Sequence, residues 1–263
     1  MLINSKTVSG YTLGSLDGEI GKVEEFLFDD QYWTVRYLVA NTGGWLTGRQ
    51  ILIAPYALVA VDKVKRDLAV KLTKSEIEGS PTLESNKPVS RQFEQTYYEY
   101  YGWPVYWNGF NMWGGDAYLV HDQVGAIPPV EPNKDFDPHL RSTNAVEGYH
   151  IQATDGEIGH VEDFVIDDDT WAIRYLIVDT KNWRPGKRIL LSPQWIDKVS
   201  WNESKVFVNL TRETIKQAPE YKDGDPITRS FEADLHKYYD RQGYWDAEPN
   251  DDRSAPAKKN EER

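Results

Sequence analysis

Asp17-Gly18-Glu19-Ile20-Gly21 returns as Asp155-Gly156-Glu157-Ile158-Gly159, and the offset of 138 that relates them holds far beyond these five residues. Residues 10–107 align on residues 148–245 without a gap, and about 36 of the 98 aligned positions are identical, a match that shared composition does not produce. The matched pairs include Val23/Val161, Phe26/Phe164, Asp29-Asp30/Asp167-Asp168, Trp33/Trp171, Arg36-Tyr37-Leu38/Arg174-Tyr175-Leu176, Trp45/Trp183, Gly48/Gly186 and Pro55/Pro193. Most of these are turn glycines and core apolar residues. The pattern therefore speaks of scaffold and reads as a duplicated domain.

Within each copy the apolar residues alternate, and turn signals interrupt them every eight to twelve residues or so, as in a small all-β barrel or sandwich. The Asp-Gly dipeptides open hairpins whose next strands run through Val23, Phe26 and Phe28, and through Val161, Phe164 and Ile166. In the strand after Trp33, Val35, Tyr37 and Val39 alternate with Thr34, Arg36 and Leu38, which predicts one buried face and one partly wet. About six strands per copy follow from this spacing. Thr73-Lys74-Ser75-Glu76 has the form of a capping box, with Thr211 and Thr214 as its weaker partner, and Ser90 and Thr228 are placed to cap terminal helices. Phe93, Tyr97 and Tyr101 share one face of the first such helix, and Phe231, Leu235 and Tyr239 one face of the second, so each helix needs an edge or mouth of its own barrel to cover.

The expected organisation is a first barrel with its helix over residues 1–107, a linker rich in proline, glycine and aromatics over 108–143, a second barrel with its helix over 144–247, and a disordered tail over 248–263. Each barrel is expected to enclose its own apolar interior, the two related by a pseudo-twofold axis. No run of about 18 apolar residues is present, and the N-terminus lacks the apolar stretch of a signal peptide, so the cytoplasm is the expected compartment. The absence of cysteine excludes disulfides and thiolate chemistry. A net charge of −12, with neither copy basic, argues against nucleic acid and anionic lipid as partners.

Candidate chemistry is sparse. His150 and His160 flank an Asp-Gly turn, but the first copy has Thr12 and Lys22 there, and surface histidines are the better reading than metal ligands. Asp29-Asp30 and Asp167-Asp168-Asp169 lack the spaced oxygens of a calcium loop and read as solvated turns. The repeated carboxylates Glu19/Glu157 and Glu24/Glu162 alternate with apolar residues as exposed strand positions do. Arg36 and Arg174 sit between aromatics, placed to stack on Trp33 or Trp171 or to pair with a carboxylate. No nucleophile elbow, phosphate loop or zinc-protease motif occurs, so no catalytic residue, metal or cofactor is assigned. The excess of aromatics, ten tryptophans and sixteen tyrosines, points instead to contact surfaces. The residues expected to carry them are Trp33, Trp45, Trp171, Trp183, Trp103, Trp107 and Trp113, with packing between the two halves as the competing explanation.

The succession Asp-Gly-Glu-Ile-Gly-x-Val-Glu-x-Phe, Asp-Asp, Trp, Arg-Tyr-Leu, Trp-x-x-Gly and Ile-Leu-Ile-x-Pro resembles the PRC-barrel domain, in the first 50 to 60 residues or so of each copy most clearly. The resemblance implies a fold that is mainly β, with two tandem six-stranded barrels, each followed by short helices. Relatives of that kind include the cytoplasmic domain of the photosynthetic reaction centre H subunit, one domain of a ribosome maturation factor, and stand-alone bacterial proteins associated with stress. The tandem stand-alone type is the nearest in form. It implies a non-enzymatic interaction or adaptor module with an unknown protein partner, acting in stress adaptation. The alternatives are an accessory factor on the cytoplasmic side of a photosynthetic or electron-transfer membrane complex, and an enzyme of unknown type.

Overall fold

The long strand that opens with the Asp-Gly turn organises each half of the molecule. The structure, a computed structural model, describes residues 1–46, 48–82, 89–107, 140–180 and 186–246. In chain order the first half contains β1 (Leu2–Asn4), α1 (Ser5–Val8), β2 (Thr12–Ser15), β3 (Gly18–Asp29), β4 (Thr34–Asn41), β5 (Gln50–Ile53), β6 (Leu58–Asp62), β7 (Asp67–Val70), α2 (Lys74–Glu78) and α3 (Arg91–Tyr101). The second half contains β8 (Leu140–Ser142), α4 (Thr143–Val146), β9 (His150–Ala153), β10 (Gly156–Asp167), β11 (Ile173–Asp179), β12 (Arg188–Leu191), β13 (Ile196–Ser200), β14 (Lys205–Val208), α5 (Arg212–Gln217) and α6 (Arg229–Tyr238). The fold is mainly β, in two seven-stranded sheets with few helices.

One sheet runs β5-β4-β3-β2-β7-β6 and the other β12-β11-β10-β9-β14-β13, the same order position for position. Each path is open at its ends, with no pairing of β5 to β6 or of β12 to β13 among the described residues. Gly21 and Gly159 show why the repeated Asp-Gly-Glu-Ile-Gly ends in glycine. Both have left-handed backbone, φ 144° and 158°, and a Cβ would lie 2.1 Å from the Asn41 carbonyl oxygen or 2.2 Å from that of Asp179. Only a residue without a side chain lets the paired strand approach so closely.

The seventh strand of each sheet comes from the other half. β1 pairs antiparallel with β10, Ile3 opposite Ile166, and β8 pairs antiparallel with β3, Arg141 opposite Phe28. Residues 140–142, expected in the linker, thus complete the first sheet; residues 108–139 and the tail from 247 lie outside the described residues. The expectation of a private interior for each half is corrected by the same arrangement. Phe26, Phe28 and Trp33 share one contiguous core with Phe164, Trp171 and Ile173, and the ring centroids of Phe28 and Phe164 are 5.6 Å apart. Pooling the apolar faces buries more area than two isolated units of about 100 residues could manage.

The helix ends follow the sequence. Thr73 and Glu76 form the capping box of α2, and Ser90, Thr211 and Thr228 accept from the third residue beyond them. Helix α3 lies on the outer face of its own sheet, where Tyr97 and Tyr98 pack with Tyr37, Val39 and Leu52, and the Tyr97 hydroxyl donates to the Leu52 carbonyl at 2.9 Å. This covering corrects the half-wet reading of β4. Thr34 through Ala40 are all buried, because the shared core takes one face and the helix the other.

Candidate functional site

Most of the buried charges among the described residues lie in two matching clusters between sheet and terminal helix. On β4 the guanidinium of Arg36, fully buried, donates to Asp29 at 3.2 Å and stacks on Tyr106 with 4.1 Å to the ring centroid. Next to it, the hydroxyls of Tyr37 and Tyr106 both donate to Oε1 of Glu94, at 2.8 and 2.9 Å, while Arg91 sits 3.0 Å from Oε2. In the second half Arg174 donates to Asp167 through Nε at 3.2 Å and Nη2 at 2.9 Å, and stacks on Tyr244 at 3.9 Å. Tyr175 and Tyr244 donate to Oε1 of Glu232 at 2.9 and 2.8 Å, with Arg229 at 3.1 Å from Oε2. The aromatic partners of the two arginines are therefore tyrosines that follow the helices, where Trp33 and Trp171 were expected.

Glu94 and Glu232 are 0% and 2% exposed, a position a carboxylate holds only when its oxygens are met by donors. Burial, with the nearby Glu94 second, holds the Tyr37 hydroxyl well above the usual phenol range, and burial followed by Glu232 does the same for Tyr175 and Tyr244. These tyrosines stay protonated and serve as donors. The arrangement pins a helix to a sheet by charge-assisted hydrogen bonds, each worth about 1.5 to 3 kcal/mol net.

The halves differ at one point of this cluster. His236 stands where the first half has Tyr98, buried, with Nε2 at 3.0 Å from the Tyr175 hydroxyl and Nδ1 at 2.8 Å from the Gln242 carbonyl. Burial among Trp195, Tyr175 and Trp245 depresses its proton affinity below the usual imidazole value.

A second set of polar groups lines a cleft of about 240 Å³ between the halves, and its walls are again pairs at the repeat offset: Ser5 and Thr143, Glu24 and Glu162, Glu25 and Asp163, Phe26 and Phe164. Asp163 accepts from the Ser5 hydroxyl at 2.5 Å and from the amides of Lys6 at 3.1 Å and Phe164 at 2.7 Å, and burial raises its proton affinity. Glu25 accepts from Ser142, and the Phe26 amide donates to Thr143 at 3.2 Å. Glu162 is clasped by Arg188 through Nε and Nη2 at 2.5 and 2.6 Å, and Glu24 accepts from Gln50 at 3.0 Å. Each acid of the cleft is thus engaged by a donor of this chain, so the cleft fastens the halves together.

The acidic turns are turn caps. Asp29 accepts from the amides of Gln31 and Tyr32 at 2.9 and 3.2 Å, and Arg141 reaches Asp30 at 2.9 Å. Asp167, Asp168 and Asp169 bring carboxylate oxygens within 4.8 Å of one another, with the N-terminal ammonium bound to Asp168 and Arg174 to Asp167. The β9–β10 hairpin sets His150 opposite His160, and Nδ1 of His150 is 2.8 Å from Glu157.

Of the tryptophans expected to contact a partner, Trp33 and Trp171 are 7% and 6% exposed and belong to the shared core; the Trp171 ring meets Phe26 of the other half at 6.3 Å, and the Trp33 ring stacks on Phe28 of its own half at 5.4 Å. Trp45 is half-buried against that core with Lys74 5.5 Å from its ring centroid. Trp103 stacks on Tyr101 at 4.5 Å, and Trp107 lies under Arg91 at 4.1 Å; both are half-buried in the aromatic layer over α3. Trp183 and Trp113 lie outside the described residues. Glu94, Glu232 and Asp163 were missed by sequence reasoning. The usable signal was that Asp29, Arg36, Tyr37, Arg91, Glu94 and Tyr106 all recur unchanged at the repeat offset.

The shared strand order and the strand-borne half of the cluster belong to a segment that ends before the last helix. Residues 142–215 match the family model of the PRC-barrel domain. The PRC-barrel match takes in β9 to β14 and reaches into α5, so Asp167, Arg174 and Tyr175 lie within it, whereas Arg229, Glu232 and Tyr244 lie beyond. The helix and its glutamate lie outside the matched segment and are fastened to it by the hydrogen bond from Tyr175 to Glu232. No curated protein matches the chain. No helix among the described residues is long and apolar enough to cross a membrane.

Proposed function

We propose that the chain is a tandem of two PRC-barrel-like units, residues 1–107 and 144–247, joined by 108–143 and followed by a tail from 248, and that it works as a non-enzymatic adaptor in stress adaptation. The observation that carries this reading is the use of the buried charge. Glu94, Glu232 and Asp163 are the acids an enzyme would recruit, and each is saturated by hydroxyl, amide or guanidinium donors of its own chain. Such groups stiffen a scaffold and leave no free proton acceptor for a substrate. Repetition of the fold at one offset supports the tandem reading, and two tethered surfaces raise the effective concentration of a second contact once the first has formed.

The test is affinity purification of the tagged full chain from its host, stressed and unstressed, with quantitative identification of co-eluting proteins. A stoichiometric partner whose recovery rises under stress is the expected result. Recovery of no protein above a mock bait in either state contradicts the adaptor reading.

A further inference from the structure

Three apolar side chains of the first half are strongly exposed, Leu16 in the β2–β3 turn, Val59 on β6 and Val64 in the β6–β7 turn, and none has an apolar counterpart in the second half. Leu16, Val59 and Val64 are 69%, 63% and 95% exposed, and the matching residues are Thr154, Asp197 and Asn202. Val59 lies on β6 at the register shift between Leu58 and Ala60; β6 pairs with β7 on one side and, among the described residues, with no strand on the other. An end strand offers unpaired backbone groups to any extended chain, and charged residues along it are the usual protection. The equivalent strand β13 has that protection in exposed Asp197 and Lys198. β6 has an exposed valine in place of the aspartate.

The charge around β6 changes in the same direction. Exposed Lys63, Lys65, Arg66 and Lys71 replace Trp201, Glu203, Ser204 and Asn209 of the second half. Their local contacts are light: Lys63 reaches the Leu2 carbonyl at 3.2 Å, Lys65 lies 3.5 Å from Asp62, and Arg66 stands 5.4 Å from the Tyr11 ring centroid. On a chain of net charge −12 this is a cationic, apolar edge. The charge of the whole also disfavours a second copy as its occupant.

We infer that the β6 edge binds an extended segment of a partner protein, apolar at alternate positions and acidic at its flanks, as an added strand. Backbone hydrogen bonds to β6 supply affinity, Val59 receives the alternate apolar side chains, and the cations of the β6–β7 hairpin meet the acidic flanks. The inference rests on the adaptor reading and names the surface and partner chemistry for it.

The test pans a random peptide display library against the intact wild-type chain and against the double variant Val59→Asp, Val64→Asn, which installs the residues of the second half at exposed positions. A thermal melt equal to wild type establishes that the variant is folded. Enrichment of acidic segments with alternating β-branched residues is expected, with the synthetic consensus peptide binding the variant about tenfold more weakly or worse. The inference is overturned if no such class is enriched, if the peptides bind the variant as well as wild type, or if wild type instead binds phosphatidylserine vesicles or dimerises through this edge. A chain that enriches no peptide yet still recovers a host partner loses the edge assignment and keeps the adaptor reading; one that recovers no partner loses both.

Discussion

Trp33 and Trp171 each give their carbonyl to the strand of the other half: the amide of Ile173 donates to Trp33 at 2.7 Å and that of Val35 to Trp171 at 2.8 Å. Both tryptophans hold left-handed backbone, φ 51° and 60°, which costs a residue with a side chain about 1 to 2 kcal/mol. The cost is offset by seating two large rings in the common core. Removing either ring should weaken both halves together. Trp33→Ala and Trp171→Ala are each expected to lose about 3 to 5 kcal/mol in urea unfolding while the transition stays single.

The glycines of the repeated turn are equally constrained. Gly21→Ala or Gly159→Ala places a methyl group against a backbone carbonyl that no rotamer can avoid. Each is expected to cost about 2 kcal/mol or more, read as a fall in melting temperature, whereas the same change at Gly10, where nothing lies within 4 Å, costs less.

The clamp on each terminal helix should show an order of effects. Tyr37→Phe removes one hydrogen bond to a carboxylate and is expected to cost about 1.5 to 3 kcal/mol. Glu94→Ala takes the acceptor from two buried hydroxyls and the carboxylate from beside Arg91 and should cost more, about 3 to 5 kcal/mol. Equilibrium denaturation of the two variants checks the ranking.

His236 gives the second half a dependence on pH that the first lacks. Its folded proton affinity lies below the ordinary 6.5, so the unfolded chain takes up the proton first. The stability it contributes is complete above pH 6.5 and is lost as pH falls from there through the depressed folded value. Glu232 and Asp246 favour the charged ring and Arg229 opposes it, but burial outweighs them. His236→Tyr, the residue type of Tyr98, is expected to flatten the stability of the chain between pH 7.5 and 5.5, measured by urea midpoints at both values; an unchanged slope contradicts the assignment.

The parts of this architecture that were legible in the sequence are the local ones. Alternation around Val23, Phe26 and Phe28, the capping residues Thr73, Ser90 and Thr228, and the glycines of the turn each act over a few residues, so pattern reveals them. The exchange of β1 and β8 was not legible, because Leu2–Asn4 and Leu140–Ser142 are too short for periodicity and their partners lie in the opposite half. Glu94 was hidden for a related reason. A glutamate in a helix reads as solvated until Tyr37 and Tyr106, distant along the chain, are seen to converge on it. Arg36 was recognised as lying among aromatics, but its partner Tyr106 comes from beyond α3.

The claim on which the account depends is that the halves form one cooperative unit through exchanged strands and a common core. Native-state hydrogen exchange at the amides of Val35 and Ile173 tests it most directly. Both should exchange only with global unfolding, at one common free energy equal to that from denaturation. Exchange of either amide at a distinctly lower free energy, with the other half still protected, would contradict it.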